Sequence, residues 1–392
     1  MTSEWHEVPL RELVGYISKG IAPSYAEEAS ETTIRVLNQK CNRNFRISYG
    51  DSRLHDTLKK KVPPERYVKP DDILINSTGA GTAGRIAQIE DVPSATTIDG
   101  HMILIRSNGK VTQKFLGYAL KAHQWEVLQL DEGSTGQTEL NRDRLLDEIM
   151  INYPVSFDEQ NAIVGTLESI DRKLIVNKEI NDNLQQQAAA LFSSLYDRSN
   201  TEVRFTDLIQ ILGGGTPKTG ENTYWNGNIA FFTPKDVGIP YTLITEKTIS
   251  KEGLSHCNSR LYPVNTVFVT ARGTVGKVGM SGVPMAMNQS CYALVGKETH
   301  QLLVYFYTLK AVDRLKHKAS GAVFDAITTR DFESEQIMKL SDDDATAFLR
   351  VAEPMFQEVL NNNIENLRLS TLRDSLLPKL MSGEIDVSAV QL

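Results

Sequence analysis

The second half of this 392-residue chain repeats the first half. Three pairs of segments align, with an offset that falls from 195 to 187 residues: 7–22 with 202–217, 82–86 with 274–278, and 140–151 with 327–338. The first pair places Gly20 opposite Gly215. The change of offset indicates small insertions and deletions, which loops accommodate. A duplication of this length predicts two similar folded domains, because each half is long enough to bury a core of its own.

Each half ends in mostly apolar residues that recur every seven positions. In the first half the two rows are Ile163, Ile170, Asn177, Leu184 and Leu191, and Leu167, Leu174, Asn181, Ala188 and Leu195. In the second half they are Phe348, Met355, Asn362, Leu369 and Leu376, and Ala352, Val359, Asn366, Arg373 and Leu380. Five heptads predict two long helices of about 33 residues, roughly 50 Å each, that pack along their length on a partner helix.

Two asparagines interrupt the apolar rows at the middle of each predicted helix. If the helices pair antiparallel, Asn177 lies opposite Asn366 and Asn181 lies opposite Asn362. An amide layer costs stability but fixes the register, because a slip would bury the amides against leucine. Two alternatives are a parallel pair, with Asn177 opposite Asn362, and two separate amphipathic helices that each cover their own domain.

One glycine-rich segment is similar to a dinucleotide-binding loop. Gly79, Gly81 and Gly84 spell G-x-G-x-x-G after an apolar run, and Asp99 lies 20 residues beyond Gly79. A dinucleotide site needs a helix directly after its glycines, whereas RIAQIEDVPS at 85–94 predicts a second strand. The glycines therefore predict a tight loop between two strands, where the backbone turns or approaches a ligand closely.

A second segment, GGGTPKTG at 213–220, is similar to a phosphate-binding loop. The spacing of that motif would require glycine in place of Leu212 and Pro217, so the segment does not fit it. Motifs of other enzyme classes are also missing from the sequence. A protein with its own active site is therefore the less favoured hypothesis.

The composition predicts a cytoplasmic protein without a metal site. Three cysteines are widely separated, and we interpret His256 beside Cys257 as an ordinary surface pair. The N-terminal residues lack the character of an export signal, and no apolar stretch is long enough to cross a membrane. The net charge is −7, but residues 35–69 contain ten Lys and Arg against three Asp and Glu, a local patch suited to phosphate.

The order and duplication of these features resemble the DNA specificity subunits of type I restriction–modification systems. The resemblance rests on two variable segments, each followed by a heptad helix, and on GGGTPKTGENTYWNGNIAFFTPKDV at 213–237. The helix ends at 184–195 and 372–385 also fit the family. The resemblance covers nearly the whole chain. In the first half, residues 18–33 lack the Gly-Thr-Pro and Tyr-Trp-Asn-Gly sequences of the second half, which we interpret as divergence toward a different half-site.

The resemblance implies a mixed α/β fold. Two similar globular target recognition domains would be joined by two long helices that form an antiparallel coiled coil. The implied segments are recognition domain 1 at 1–153, helix 1 at 154–198, recognition domain 2 at 199–340, helix 2 at 341–383 and a C-terminal tail at 384–392.

The resemblance also implies a function in complexes. Each domain would read one half of a bipartite, asymmetric target in double-stranded DNA. The helices would dock two methyltransferase subunits, and translocating restriction subunits would join through those. S-adenosylmethionine, ATP and Mg²⁺ would belong to the partners, and this chain would be non-catalytic and without a cofactor. Adenine methylation requires a flipped base, and the pocket for it must lie in the partner, because this sequence lacks an Asn-Pro-Pro-aromatic motif.

Base reading requires Arg, Lys, Asn, Gln, Ser or Thr on loops, and phosphate contacts favour Lys and Arg. In the first domain the candidate DNA-binding residues are Lys40, Arg43, Asn44, Arg46, Thr78 and Arg85. In the second domain they are Lys218, Thr233, Lys235, Arg272, Thr274, Lys277, Asn288 and Gln289. Arg272, beside Gly273 in a predicted tight loop, is the strongest candidate. The alternative function is a coiled-coil scaffold that presents two protein-binding domains and does not bind DNA.

Overall fold

The computed structural model describes residues 4–132, 138–238, 240–318 and 326–390. The chain divides into two compact units, one of Met1–Arg172 with Leu369–Leu392 and one of Lys173–Arg368. Each unit contains one copy of the repeat and a part of both long helices. The division of the sequence into five segments at 153, 198, 340 and 383 stays a prediction.

The first unit is mixed α/β. Its strands are β1 Trp5–Pro9, β2 Val14–Lys19, β3 Tyr25–Ala26, β4 Thr33–Leu37, β5 Asn42–Arg43, β6 Arg46–Ile47, β7 Arg53–Asp56, β8 Ile73–Asn76, β9 Ile86–Gln88, β10 Thr96–Ile98, β11 Met102–Ser107, β12 Asp131–Glu132, β13 Glu139–Leu140 and β14 Met150–Pro154. Its helices are α1 Gln113–Ala122, α2 Gln124–Val127, α3 Arg142–Glu148 and the start of α4 Phe157–Asp197. The two larger sheets have the strand orders β2-β11-β8-β9 and β10-β4-β7-β3.

The second unit is also mixed α/β. Its strands are β15 Thr201–Arg204, β16 Ile209–Gly213, β17 Trp225–Phe232, β18 Tyr241–Thr242, β19 Lys247–Ile249, β20 Val267–Thr270, β21 Val278–Ser281, β22 Met285–Met287, β23 Cys291–Gly296 and β24 Gln336–Lys339. Its helices are α5 Phe205–Leu208, α6 Lys251–Ser255, α7 Gln301–Lys318, α8 Thr329–Ser334 and part of α9 Asp342–Met381. The two larger sheets have the orders β16-β23-β20-β21-β18 and β19-β17-β22.

The central strands of both units are apolar on both faces. In β8, Ile73 and Ile75 join a buried cluster with α1, whereas Leu74 joins a second cluster with residues of the other sheet. In β20, Val267 and Phe268 divide between two clusters in the same way. Successive side chains of a strand point to opposite faces. A strand covered by a helix on one face and by a second sheet on the other therefore needs apolar residues at every position.

The strand topology confirms the internal repeat. Strands β4, β8, β10 and β11 of the first unit correspond to β17, β20, β22 and β23 of the second. Both units share a parallel pair of strands, with Leu37 beside Ile98 in the first and Phe232 beside Met287 in the second. The second unit has a further parallel pair, β18 with β21. Strand β8 pairs antiparallel with β11 and β9, and its counterpart β20 pairs antiparallel with β23 and β21.

One aligned pair of the sequence analysis, Gly20 with Gly215, is wrong. A Cβ atom built on Gly20 would lie 2.1 Å from the carbonyl oxygen of Asp99, which directly follows β10. The glycine in the same position of the second unit is Gly214, where a Cβ atom would lie 2.2 Å from the carbonyl oxygen of Asn288. The true offset here is therefore one residue smaller than at the start of the repeat.

A β-bulge explains the smaller offset. The pairing of β2 with β11 is regular up to Tyr16 opposite Arg106, and the next pair is Val14 opposite Ser107. Gly15 is thus an extra residue in the first unit, whereas β16 and β23 pair without a shift. A bulge adds one residue to one strand and leaves its partner unchanged.

In the second unit the long helices pair antiparallel. The Asn177 Nδ2 atom donates to Asn366 Oδ1 at 2.9 Å, and Asn362 Nδ2 donates to Asn181 Oδ1 at 2.9 Å. These are the two pairs expected for antiparallel helices, and the parallel alternative is wrong. Phe192 of α4 and Phe348 of α9 also pack edge to face, so the hypothesis of two separate helices is wrong as well.

The asparagine layer is extended by charged residues. Asn177 also donates to Glu365 Oε2 at 2.6 Å, and Lys173 lies 3.2 Å from the same oxygen. The hydrogen bond from Asn177 and the ion pair with Lys173 lower the pKa of Glu365. Asn177 Oδ1 is buried without a hydrogen-bond partner among the described residues. The layer therefore holds a specific set of partners rather than an interchangeable group of amides.

The first unit contains a second polar position in the helix rows. Arg373 occupies a row that is otherwise mostly apolar, and its Nη1 atom lies 3.0 Å from Asp171 Oδ1. Asp171 also pairs with Lys121 at 3.1 Å and accepts a hydrogen bond from Tyr118 at 2.9 Å. Burial opposes ionisation of Asp171, but Lys121, Arg373 and Tyr118 outweigh it, and the pKa of Asp171 lies below its ordinary value.

The asparagine layer yields a prediction for stability. Asn362→Ala leaves Asn181 Oδ1 buried without its donor, and we expect the free energy of unfolding to fall by about 1–3 kcal/mol. Replacing both Asn181 and Asn362 by leucine restores an apolar seam and should recover that loss. Urea unfolding of the three proteins measures the effect. A double variant less stable than Asn362→Ala would contradict the assignment.

A second prediction concerns pH. Because the folded-state pKa of Asp171 is lowered, its contribution to stability is present above the unfolded-state pKa of about 4 and is lost as the pH falls further. Asp171→Asn should lower the free energy of unfolding by about 1–3 kcal/mol at pH 7, and by less at pH 3. The exposed Asp182 of α4 supplies the matched control, Asp182→Asn. Urea unfolding at both pH values tests this, and an equal loss at both would refute it.

Candidate nucleic-acid interface

Three strand ends of the first unit meet at one edge. Strands β4 and β10 are parallel, so their carboxyl ends coincide, and the backbone N–H of Asp99 donates to the carbonyl of Leu37 at 2.9 Å. The end of β8 joins them, because Ser77 N donates to the carbonyl of His101 at 2.8 Å. The segments that follow these three strands therefore lie side by side. They contain most of the DNA-binding candidates of this domain.

A short hairpin, β5–β6, is attached to this edge. Its turn residues Asn44 and Phe45 have φ values of 53° and 62°, which suits a tight two-residue hairpin turn. Asn42, at the start of the hairpin, is buried and donates to Asn76 Oδ1 at 3.2 Å and to the carbonyl of Arg85 at 2.8 Å. The hairpin is thus anchored to β8 and to the loop that follows it.

The loop between β8 and β9 contains the glycine motif. Gly79, Gly81 and Gly84 all have positive φ, of 116°, 68° and 83°, a conformation that other residues rarely adopt. A Cβ atom on Gly84 would also lie 2.8 Å from the carbonyl oxygen of Val127. A strand, β9 at Ile86–Gln88, follows the loop. The prediction of a tight loop between two strands is confirmed, and the helix that a dinucleotide site needs is replaced by this strand.

The six candidates of the first domain differ in exposure. Lys40, Arg43, Asn44 and Arg85 are exposed, whereas Arg46 and Thr78 are half-buried. Arg43 lies 3.8 Å from Asp51 and Arg46 lies 3.5 Å from Glu90. Lys40 and Arg85 have no acidic partner among the described residues, and a guanidinium nitrogen of Arg85 donates to the carbonyl of Gly81 at 3.1 Å. The two unpaired cations are the better placed of the six to meet phosphate.

The second unit builds the same edge. Strands β17 and β22 are parallel, and the N–H of Asn288 donates to the carbonyl of Phe232 at 3.0 Å. The N–H of Ala271, after β20, donates to the carbonyl of Ser290 at 2.8 Å. The strand–loop–strand prediction for β20 and β21 is confirmed. The loop glycines Gly273 and Gly276 have φ values of 82° and 74°.

The eight candidates of the second domain fall into two groups. The exposed group has six members: Lys218, Lys235, Arg272, Thr274, Lys277 and Gln289. Thr233 and Asn288 are half-buried and act within the loops, since Thr233 Oγ1 donates to Asp236 at 2.6 Å and Asn288 Oδ1 accepts from Ser290 N at 3.0 Å. These two side chains fix the loop backbone.

Several exposed candidates have partners of their own. Thr274 Oγ1 donates to the carbonyl of Pro234 at 3.2 Å, Gln289 contacts Thr216, and Lys235 lies 3.6 Å from Glu246. Arg272 is exposed and makes no ion pair with the residues that the structure describes. None of the hydrogen bonds found among the described residues involves its guanidinium, so its donors are available to a ligand there.

His101 is a further residue of the first unit's edge that was not among the candidates predicted from the sequence. This exposed residue follows β10, and its Nδ1 atom forms a hydrogen bond of 2.7 Å with Thr78 Oγ1. Its counterpart in the second unit is Ser290, since both residues form the same backbone hydrogen bonds. The correct alignment of β10 with β22 pairs the candidates Asn288 and Gln289 with Asp99 and Gly100, so the repeat would have indicated the segment that ends at His101 but not His101 itself.

Burial shifts the pKa of three ionisable groups near the two edges. Burial raises the pKa of Asp99 above its ordinary value, and burial raises the pKa of Cys291 to about 12. Burial also raises the pKa of the Cys41 thiol. Both thiols therefore stay protonated at neutral pH, whereas the thiolate is the reactive form.

Two other kinds of feature are absent from the part of the chain that the structure describes. Within residues 4–132, 138–238, 240–318 and 326–390, no group of three or more His, Cys, Asp or Glu is arranged to hold a metal ion. Over the same ranges, none of the helices has the length and apolar character needed to cross a membrane.

Comparison with known proteins identifies both halves of the chain. The family described as type I restriction modification DNA specificity domain matches residues 2–186 and again residues 198–339. The chain is 28% identical over 186 residues to the type I restriction enzyme HindI specificity subunit of Haemophilus influenzae, a match that covers 46% of this chain and 40% of that protein. It is 29% identical over 127 residues to the MjaIX specificity subunit of Methanocaldococcus jannaschii, covering 31% of this chain and 29% of that one. These matches span well under two thirds of either relative.

The fold has a solved counterpart. A crystal structure of the type I restriction–modification system S subunit from M. genitalium superposes with a TM-score of 0.63, covering 97% of this chain and 96% of that one. The sequence identity is 15%, so this likeness concerns the fold alone.

Neighbouring glycines at the second edge give a testable contrast. A Cβ atom on Gly214 would lie 2.2 Å from the carbonyl oxygen of Asn288, whereas a Cβ atom on Gly213 would have no atom within 4 Å. Gly214→Ala should therefore lower the free energy of unfolding by about 1–3 kcal/mol or more, because backbone must move. Gly213→Ala, the matched control, should change it by less than about 1 kcal/mol. Urea unfolding compares them, and equal stability of the two variants would contradict the close approach.

Proposed function

The chain belongs to the family of type I restriction modification DNA specificity domains, and we propose that it selects the DNA target of a type I restriction–modification system. Each of its two family domains reads one half of a bipartite target. The chain itself is the non-catalytic specificity subunit. Methylation and cleavage reside in partner subunits.

One observation carries the proposal of two different half-sites. Both units hold their candidate loops at the edge where the parallel strands end, with the same backbone hydrogen bonds but different side chains. Thr78 follows β8 by two residues, as Arg272 follows β20. Side chains at such loops discriminate bases through their donors and acceptors. A shared frame with different side chains supports an asymmetric target.

The charge of the chain is compatible with this function. A net charge of −7 repels the DNA phosphates at long range. Binding, however, depends on the cations that lie next to the phosphates in the complex. Lys40, Arg85 and Arg272 have no acidic partner among the described residues. Because the isolated chain is acidic, we expect the partner subunits to contribute to affinity.

We further propose the partners and their chemistry. Two methyltransferase subunits dock on the long helices α4 and α9, and translocating restriction subunits join through them. S-adenosylmethionine, ATP and Mg²⁺ belong to those subunits. The complex acts in the cytoplasm, where chromosomal and incoming DNA are accessible.

The alternative, a scaffold that presents two protein-binding domains, is not favoured by the family to which both halves belong. A gel shift with the partner methyltransferase present separates the two functions. Sequence-specific retention of duplex DNA by the complex supports target selection. Assembly with the partner, but without preference for any duplex sequence, would support the scaffold.

Arg272→Ala tests the assignment of the second domain. We expect the assembled complex to bind its target roughly 5- to 150-fold more weakly, with base preference lost at one position of the second half-site and retained throughout the first. Binding to duplexes with single base-pair changes measures both. The control Arg204→Ala removes an arginine of the same unit that pairs with Asp207 at 3.1 Å. Unchanged base preference in Arg272→Ala would refute the assignment.

A further inference from the structure

We propose that His101 is a specificity-determining residue of the first domain, which donates a hydrogen bond from Nε2 to a base edge in the major groove, and that Thr78 is its positioning residue. This inference rests on the proposed function and names a DNA contact within it. The acceptor would be the N7 atom of a purine, the O6 atom of a guanine or the O4 atom of a thymine, since these acceptors face the major groove.

The backbone of His101 is fixed on both sides. Its N–H donates to Asp99 Oδ1 at 2.9 Å, and its carbonyl accepts from Ser77 N at 2.8 Å. Asp99 is buried, and Gly20 packs directly against its carbonyl oxygen. The residue therefore projects from a rigid point of the edge where β8 and β10 end. A reading residue needs this kind of support, because base contacts tolerate little displacement.

The imidazole ring is oriented as well. Its Nδ1 atom lies 2.7 Å from Thr78 Oγ1, while the side chain as a whole is exposed. A threonine hydroxyl can donate this hydrogen bond, and the neutral imidazole then carries its proton on Nε2. Nε2 is the nitrogen left for a ligand. The pair thus presents one directed donor toward solvent at the candidate interface.

The surroundings of the ring suit DNA. Asn76 Nδ2 donates to the carbonyl of Gln39 at 3.2 Å, which holds the segment that contains Lys40 beside the glycine loop. Glu139, which bridges to Thr78, is paired with Lys19, so its charge is compensated. A phosphate backbone that follows Lys40 would therefore not meet an unpaired carboxylate at this bridge.

The repeat supplies an independent argument. In the second unit Arg272 stands at the position of Thr78, and Ser290 stands at the position of His101. Each unit therefore has one long side chain with a nitrogen donor and one short side chain with a hydroxyl at these two positions. The two kinds of side chain exchange places between the units. Arg272 reaches out from the loop after β20, whereas His101 reaches out from the segment after β10. The two domains would fill equivalent space with different donors, which is what different half-sites require.

The test uses the complete chain assembled with its methyltransferase partner. Binding is measured to the cognate duplex and to duplexes in which each base pair of both half-sites is changed in turn. His101→Ala should weaken binding of the cognate duplex by roughly 5- to 150-fold and abolish discrimination at one base pair of the first half-site. Discrimination in the second half-site should stay as in the wild type.

Further variants separate reading from folding. Thr78→Val should weaken discrimination at the same base pair, and Thr78→Ser, which keeps the hydroxyl, should retain it. His101→Gln replaces the imidazole by an amide, which offers adenine both a donor and an acceptor, and should increase the preference for adenine there. The control His6→Ala removes an exposed histidine of β1 in the same unit and should leave every preference unchanged.

Two outcomes would overturn the inference. Discrimination that persists in His101→Ala at every base pair, or a loss that is uniform over all bases of the first half-site, excludes base reading by His101. If the wild-type complex itself shows no sequence preference in either half-site, the proposed function falls, and the inference falls with it. The wild-type titration therefore distinguishes the two failures.

Discussion

The parallel pairing of two short strands is the contact on which each candidate interface depends. Strands β4 and β10, and likewise β17 and β22, come from distant parts of their repeat, and parallel pairing forces their carboxyl ends to one edge. Two glycines, Gly20 and Gly214, then allow a third segment to approach the carbonyl groups beyond those ends. Any side chain at either glycine would collide with a carbonyl oxygen, and backbone atoms cannot move aside as flexible side chains can.

The long helices were predictable in detail because their information is periodic and local. The heptad rows indicate the helices, and the asparagines predict the antiparallel pairs that the hydrogen bonds of Asn177 and Asn362 show. Arg373 illustrates the limit. It stands in a row of the seam, and the sequence gives no reason for a cation there. Its reason is tertiary, since Asp171 and Lys121 come together with it only in the folded unit.

The candidate interface was predictable in part. The glycine loop follows from composition and spacing, and the repeat then identifies its counterpart. His101 was missed because its role depends on a hydrogen bond to Thr78 and on the strand pairing beside it, neither of which leaves a sequence pattern. The misplaced pairing of Gly20 with Gly215 has a similar cause. A one-residue bulge at Gly15 changes the offset within a strand. When the two halves are aligned by residue similarity, a gap of one residue inside a strand is not visible.

The way the loops are fixed explains how two such similar domains can differ in what they read. The hydrogen bonds that hold each edge are made by backbone groups and by a few buried or half-buried side chains. Asp99 and Asn288 each accept from the backbone N–H two residues later. A carboxylate and an amide oxygen perform this task equally well. The neighbouring positions, occupied by the exposed His101 and the half-buried Ser290, take no part in it through their side chains. Substitution there alters the donors and acceptors offered to DNA without disturbing the frame, so a single duplicated fold supports two different half-sites.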